Sequence, residues 1–71
     1  MNIKINGEEK RLEKEVNILE LLEIEDVKMP EMVSVELNGE IVDRGDFKST
    51  IVKENDVIEF LYFMGGGSVG F

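Results

Sequence analysis

The sequence predicts an α+β domain in which one helix covers one face of a mixed sheet of four or five strands. Three observations lead there. Two Asn-Gly dipeptides, Asn6-Gly7 and Asn38-Gly39, each follow an alternating apolar stretch and mark tight hairpins. Between the hairpins, "NILELLEI" changes the apolar period from two to that of a helix. Near the end, "VIEFLYFM" is apolar almost throughout, as strands in the middle of a sheet are.

In "MNIKINGEEKRL", Ile3 and Ile5 fall on one face and Asn2, Lys4 and Asn6 on the other. Residues 9–13 return as the second strand, with Leu12 its clearest core residue. Asn17 is placed to cap a helix, and Glu20 stands three residues on, where its side chain completes a capping box. The helix is expected from Ile18 to Ile24, fraying through Glu25 and Asp26, with Ile18, Leu21, Leu22 and Ile24 facing the sheet. Met29-Pro30 stops it and disfavours an α conformation at Met29. In "MVSVELNGEIV", Val33, Val35 and Leu37 point inward, Ser34 and Glu36 outward, and "EIV" is the return strand. "DRGDFKSTIV" keeps no period and reads as a loop with one helical turn carrying Phe47 inward, and "KEND" is a polar turn. In the last strand Ile58, Phe60 and Tyr62 share one face, and Val57, Glu59, Leu61 and Phe63 the other.

The order is therefore ββαββ, a turn-rich loop, then β. First and last strands that are both central must lie side by side and parallel, which is the β-grasp arrangement, the fold of ubiquitin. The domain is read as residues 1–64, followed by a flexible glycine-rich tail over 65–71. No second domain, linker or repeat beyond the hairpins is expected.

Composition removes whole classes of chemistry. The 71 residues include neither cysteine nor histidine, so disulfides, the usual zinc sites and the Ser-His-Asp and Cys-His arrangements are impossible. No intrinsically bound cofactor and no metal site is expected. A net charge of -8 repels nucleic acid and anionic lipid and favours partners with a basic surface. The uncharged run from Phe60 to Phe71 is short of the about 20 residues a bilayer span needs. No basic segment precedes an apolar one at Met1, so no signal peptide is read and a cytoplasmic monomer is the expectation.

Function then turns on "FMGGGSVGF", residues 63–71. Glycine lacks Cβ, so Gly65, Gly66 and Gly67 form a thin segment able to extend at roughly 3.3 Å per residue into a narrow channel. A carboxylate at its end is a poor electrophile until ATP converts it to an acyl-adenylate. Sulfur from a donor protein can then displace AMP, leaving a nucleophilic thiocarboxylate. This chemistry needs no catalytic side chain on the carrier. The bland alternative is a glycine tail with no task.

Three stretches carry a resemblance: "INGEE", "VSVELNGEIVDR" and "ENDVIEFLYFMGGG". Through Gly67 the chain resembles the ThiS family of small sulfur carriers in thiamine biosynthesis, with Asn38, Val42, Arg44 and Phe47 in the places of the family's Asn, Val, Arg and aromatic residue. Asp43 stands where the family commonly has proline, and Phe47 where it commonly has tryptophan. The resemblance implies a protein cosubstrate, not an enzyme. A ThiF-like enzyme would adenylate its terminal glycine using ATP, and thiazole synthase would receive the sulfur. By position Gly67 is the activated residue and Gly66 the thin residue before it. The family usually ends at its glycines, whereas here "SVGF" follows: either residues 68–71 are removed first, or this chain works by another route or does not carry sulfur. A molybdopterin synthase small subunit, with the same tail chemistry, and a non-covalent ubiquitin-like interaction module are the alternatives.

Leu61, Phe63 and Met64 are candidates for docking the activating enzyme beside the tail; packing of Leu61 and Phe63 under the loop from Arg44 to Thr50 is the other reading. Arg44 reads as a surface ion pair or a contact to a partner's acidic group. "EIED" over residues 23–26 reads as a solvated helix end, and Asp43 with Asp46 does not form a hydrolytic pair.

Overall fold

Alternation in "NIKI" buries Ile3 and Ile5 and exposes Asn2 and Lys4, and it forms strand β1 (Asn2–Ile5). The computed structural model describes residues 1–62. Asn6 and Gly7 take positive φ angles of 52° and 85°, the left-handed turn that returns the backbone antiparallel as β2 (Glu8–Arg11). Leu12 follows β2 rather than lying in its middle, yet it is buried, and its N–H donates to the Met1 carbonyl at 2.8 Å.

Helix α1 spans Ile18–Ile24. Its capping box is complete: the Glu20 N–H donates to Asn17 Oδ1 at 2.8 Å, and the Asn17 N–H donates to Glu20 Oε1 at 2.9 Å. Such a cap is worth about 1 kcal/mol. Ile18, Leu21 and Leu22 are buried, but Ile24 is 53% exposed, against the expectation that it faces the sheet. At about 100° per residue, Ile24 lies off the stripe that Ile18, Leu21 and Leu22 define. Glu25 continues that stripe instead, half-buried, with Lys10 of β2 3.6 Å away. Met29 does leave the right-handed α region, but for a left-handed conformation (φ 54°, ψ 57°) rather than an extended one.

A 3-10 turn at Pro30–Met32 leads into β4 (Val33–Leu37), and a second left-handed Asn-Gly turn leads into β5 (Glu40–Val42). The following loop holds a 3-10 turn, Arg44–Asp46, and carries Phe47 into the core at 2% exposure. One pairing was hidden in the sequence: β3 (Val16–Asn17) and β6 (Ile51–Val52) form a short antiparallel ribbon beside the main sheet. Strand β7 spans Val57–Tyr62.

The main sheet has the order β2-β1-β7-β4-β5. β7 runs parallel to β1 (Ile5 beside Ile58) and antiparallel to β4 (Val35 beside Phe60), so the first and last strands are central neighbours. One helix on this mixed five-stranded sheet is the ubiquitin-like β-grasp fold that the pattern predicts. Between helix and sheet sit Ile3, Ile5, Val33, Val35 and Ile58, closed by Ile18, Leu21, Phe47 and Val52. No helix among the described residues is long and apolar enough to cross a membrane.

Candidate functional site

β7 is where the fold meets the candidate chemistry, because the chain passes from its last described residue, Tyr62, toward the glycines. Its flanks explain how the strand is held. β1 ends at Ile5, but Asn6 prolongs the ladder with its side chain, Oδ1 accepting from the Phe60 N–H at 2.9 Å. At the other end Asn38 does the same for β4, its Oδ1 accepting from the Val57 N–H at 2.9 Å. Asn38 Nδ2 also donates to Asp56 Oδ1 at 3.1 Å. The residues expected only to shape the turns thus also fasten the strand. Nothing in the apolar pattern announces that second task.

The two faces of β7 differ. Ile58 is fully buried against the helix side, Phe60 packs on the core, and Tyr62, on the same face, is 48% exposed where the core ends. On the outer face lie Val57, Glu59 and Leu61, with Val57 exposed and Leu61 half-buried. Across the strands, Leu61 pairs with Ser34, and Glu59 with Glu36. Exposed Ile41 of β5 stands beside Glu36. Like charges directly opposite on a sheet destabilise it, so the Glu36/Glu59 pair adds nothing to the stability of the sheet. The acidic pair is flanked on this face by Val57, Leu61 and Ile41.

The loop from Arg44 to Thr50 is anchored at its far end. The Phe47 and Thr50 carbonyls both accept from the Ile18 N–H, each at 3.1 Å, which binds the loop to the start of α1 on the core side. Phe63, Met64, Gly65, Gly66, Gly67 and the remainder of the expected tail lie outside the described residues.

Among the described residues Arg44 pairs with backbone carbonyls and not with an acidic side chain. It donates to the Pro30 carbonyl at 3.0 Å and to the Val33 carbonyl at 2.7 Å, and its guanidinium stacks over the Phe47 ring at 5.3 Å. It ties the loop to the start of β4. Among the described residues no three or more acidic side chains are gathered as metal ligands would be. A groove of about 400 Å³ lies between α1 and Pro30, lined by Leu19, Leu22, Glu23 and Asp26 among others, and β7 does not border it.

The ThiS family model matches residues 3–67. A crystal structure of a thiamine biosynthesis protein, ThiS, from Geobacter metallireducens is 46% identical and superposes with a TM-score of 0.88, covering 94% of this chain and 100% of that one. A solution structure of a thiamine biosynthesis protein from the same organism is 44% identical, with a TM-score of 0.77 over 100% of this chain and 94% of the other. A thiazole synthase from Magnetococcus marinus is 45% identical over 38 residues. That stretch is 54% of this chain but only 12% of the length of the synthase.

Proposed function

The chain belongs to the ThiS family, and from that premise we propose that it is a sulfur carrier for thiazole formation in thiamine biosynthesis, a protein cosubstrate and not an enzyme. The observation that carries the reading is the placement of β7. A strand paired on both sides, with β1 and β4, is followed in the sequence by Phe63, Met64 and then Gly65, Gly66 and Gly67, residues thin enough for a narrow channel.

In the proposed sequence the Gly67 carboxylate attacks the α-phosphorus of ATP on a ThiF-like enzyme, and pyrophosphate leaves. The terminal sulfur of a donor persulfide attacks the acyl carbon, and AMP leaves. A thiol then cleaves the S–S bond, releasing the thiocarboxylate and forming a disulfide with the donor. Thiazole synthase is the acceptor. A thiazole synthase that contains a stretch similar to half of this chain supports that pairing. The outer face of β7, with Val57, Glu59 and Leu61, docks the activating enzyme beside Phe63 and Met64.

One requirement follows from the covalent structure. The Gly67 carbonyl is held in a peptide bond to Ser68, so hydrolysis of that bond must precede adenylation. The test uses a chain ending at Gly67 together with the activating enzyme of its own cell, ATP and a persulfide donor. Its mass should rise by about 16 Da as sulfur replaces one oxygen, while the untrimmed chain should stay unchanged. Gly67→Ala should slow loading sharply, because a methyl group crowds the reacting carbon. Loading of the untrimmed chain would overturn the trimming step. Failure of the trimmed chain would overturn the carrier reading and favour a non-covalent interaction module.

A further inference from the structure

We propose that Asn6 is a site of spontaneous covalent modification, converting to aspartate and isoaspartate, and that the fold withholds the same reaction from Asn38. The inference is independent of the sulfur-carrier reading.

The chemistry is intramolecular. The backbone nitrogen of the following residue attacks the Asn Cγ, the bond from Cγ to the carboxamide nitrogen breaks, and ammonia leaves with the displaced proton. Water then opens the resulting succinimide at either carbonyl. One water enters and one ammonia departs, with no oxidant or reductant. Glycine is the most permissive following residue because no side chain shields its nitrogen.

Both dipeptides are alike in everything that sets the intrinsic rate. Asn6 and Asn38 have φ angles of 52° and 53°, followed by Gly7 and Gly39 at 85° and 88°. Space is open around both glycines. Each asparagine donates its own N–H to β7, Asn6 to the Ile58 carbonyl at 2.9 Å and Asn38 to the Val57 carbonyl at 2.7 Å. What differs is the hold on the carboxamide, which must swing away from β7 before its Cγ meets the nitrogen of its own glycine.

Among the described residues, the Asn6 carboxamide has one anchor, the Phe60 N–H. The Asn38 carboxamide has two, Oδ1 to the Val57 N–H and Nδ2 to Asp56 Oδ1. The second anchor grips the nitrogen that must leave. Asp56 is itself fixed, its Oδ2 accepting from the Lys53 N–H at 2.7 Å. The two bonds also settle which way the Asn38 amide faces, since only nitrogen can donate to the carboxylate and only oxygen can accept from Val57.

The products differ as well. The aspartate product at position 6 keeps an oxygen to accept from the Phe60 N–H, while the isoaspartate product lengthens the backbone of the turn by one carbon. An aspartate at position 38 would set two carboxylates against each other where a hydrogen bond of 3.1 Å stood. For the aspartate product, the position that reacts is therefore also the one that better tolerates the reaction.

The experiment follows deamidation of the full-length protein over weeks at neutral pH and body temperature. Trypsin separates the sites: cuts after Lys4 and Lys10 release residues 5–10, and cuts after Lys28 and Arg44 release residues 29–44. Each event adds about 1 Da, and an isoaspartyl methyltransferase titrates the isoaspartate fraction. In the folded protein Asn6 should react about five-fold faster than Asn38, the factor one further hydrogen bond supplies. In concentrated urea the two rates should converge. Asp56→Ala should raise the Asn38 rate to that of Asn6. If that variant does not fold, the native and urea rates of the unaltered protein decide the matter alone. Equal native rates, or a faster Asn38, overturn the proposal.

Discussion

Replacing Glu59 with lysine should make the protein more stable and worse at its proposed task. Glu59 and Glu36 are directly opposed on the outer face of β7 and β4. The change removes a like-charge pair and creates an opposite-charge pair, each worth about 0.2–1 kcal/mol on a sheet. Glu59 is exposed and Glu36 only half-buried, so water and salt screen both, and a net gain of about 0.5 kcal/mol is the sensible figure. A domain of this size shifts its Tm by about 4–8 °C per kcal/mol, giving a rise of about 2–4 °C. Thermal unfolding followed by circular dichroism at low salt measures it, and the rise should shrink at high salt. Glu36→Lys should behave alike, and the double variant, with lysine opposite lysine, should fall back toward the starting stability. Sulfur loading of the Gly67-terminated protein should meanwhile slow several-fold, because a basic partner loses one of the acids it meets. If Glu59→Lys lowers the Tm at low salt, or loads at the unaltered rate, the outer face is not shaped around a partner.

Two further outcomes follow from the same geometry. Leu61→Asp should leave the unfolding transition in place, because Leu61 lies outside the buried cluster, yet weaken binding to the activating enzyme by more than about 2 kcal/mol, as loss of an apolar anchor does; an unfolded variant would make Leu61 a core residue. Arg44→Ala should lower the urea midpoint by an amount equivalent to about 1–2 kcal/mol, through two lost bonds to carbonyls and the lost stack on Phe47; an unchanged midpoint would show that the loop is held without it.

The hairpins, the capped helix and the parallel pairing of β1 with β7 were legible because each rests on a local rule. Asn-Gly demands a left-handed turn, Asn17 and Glu20 stand at capping-box spacing, and an apolar strand is central. The β3/β6 ribbon was not legible, because strands as short as Val16–Asn17 and Ile51–Val52 leave no period to detect. Ile24 was misplaced by treating four apolar residues in seven as one stripe, although its angle sets it apart. Arg44 was misread because its partners are backbone carbonyls, which look the same at every residue of a sequence. The candidate docking face was half visible. Alternation put Leu61 and Glu59 outward, but only the strand register set Glu59 against Glu36.

The sheet order has a consequence for when this protein comes into being. The middle strand is the last described stretch of the polypeptide, so the pairing of β1 and β4 through β7 cannot begin during most of synthesis. A nascent polypeptide that has reached Asn55 holds two separate hairpins and a helix with no shared floor. Ile58, which closes the core, has yet to leave the ribosome. Folding thus waits until β7 has been made and then proceeds around the element that leads to the glycines. A ribosome that stalls early releases a fragment with neither a closed core nor a glycine segment, which proteases can clear and an activating enzyme has no reason to engage.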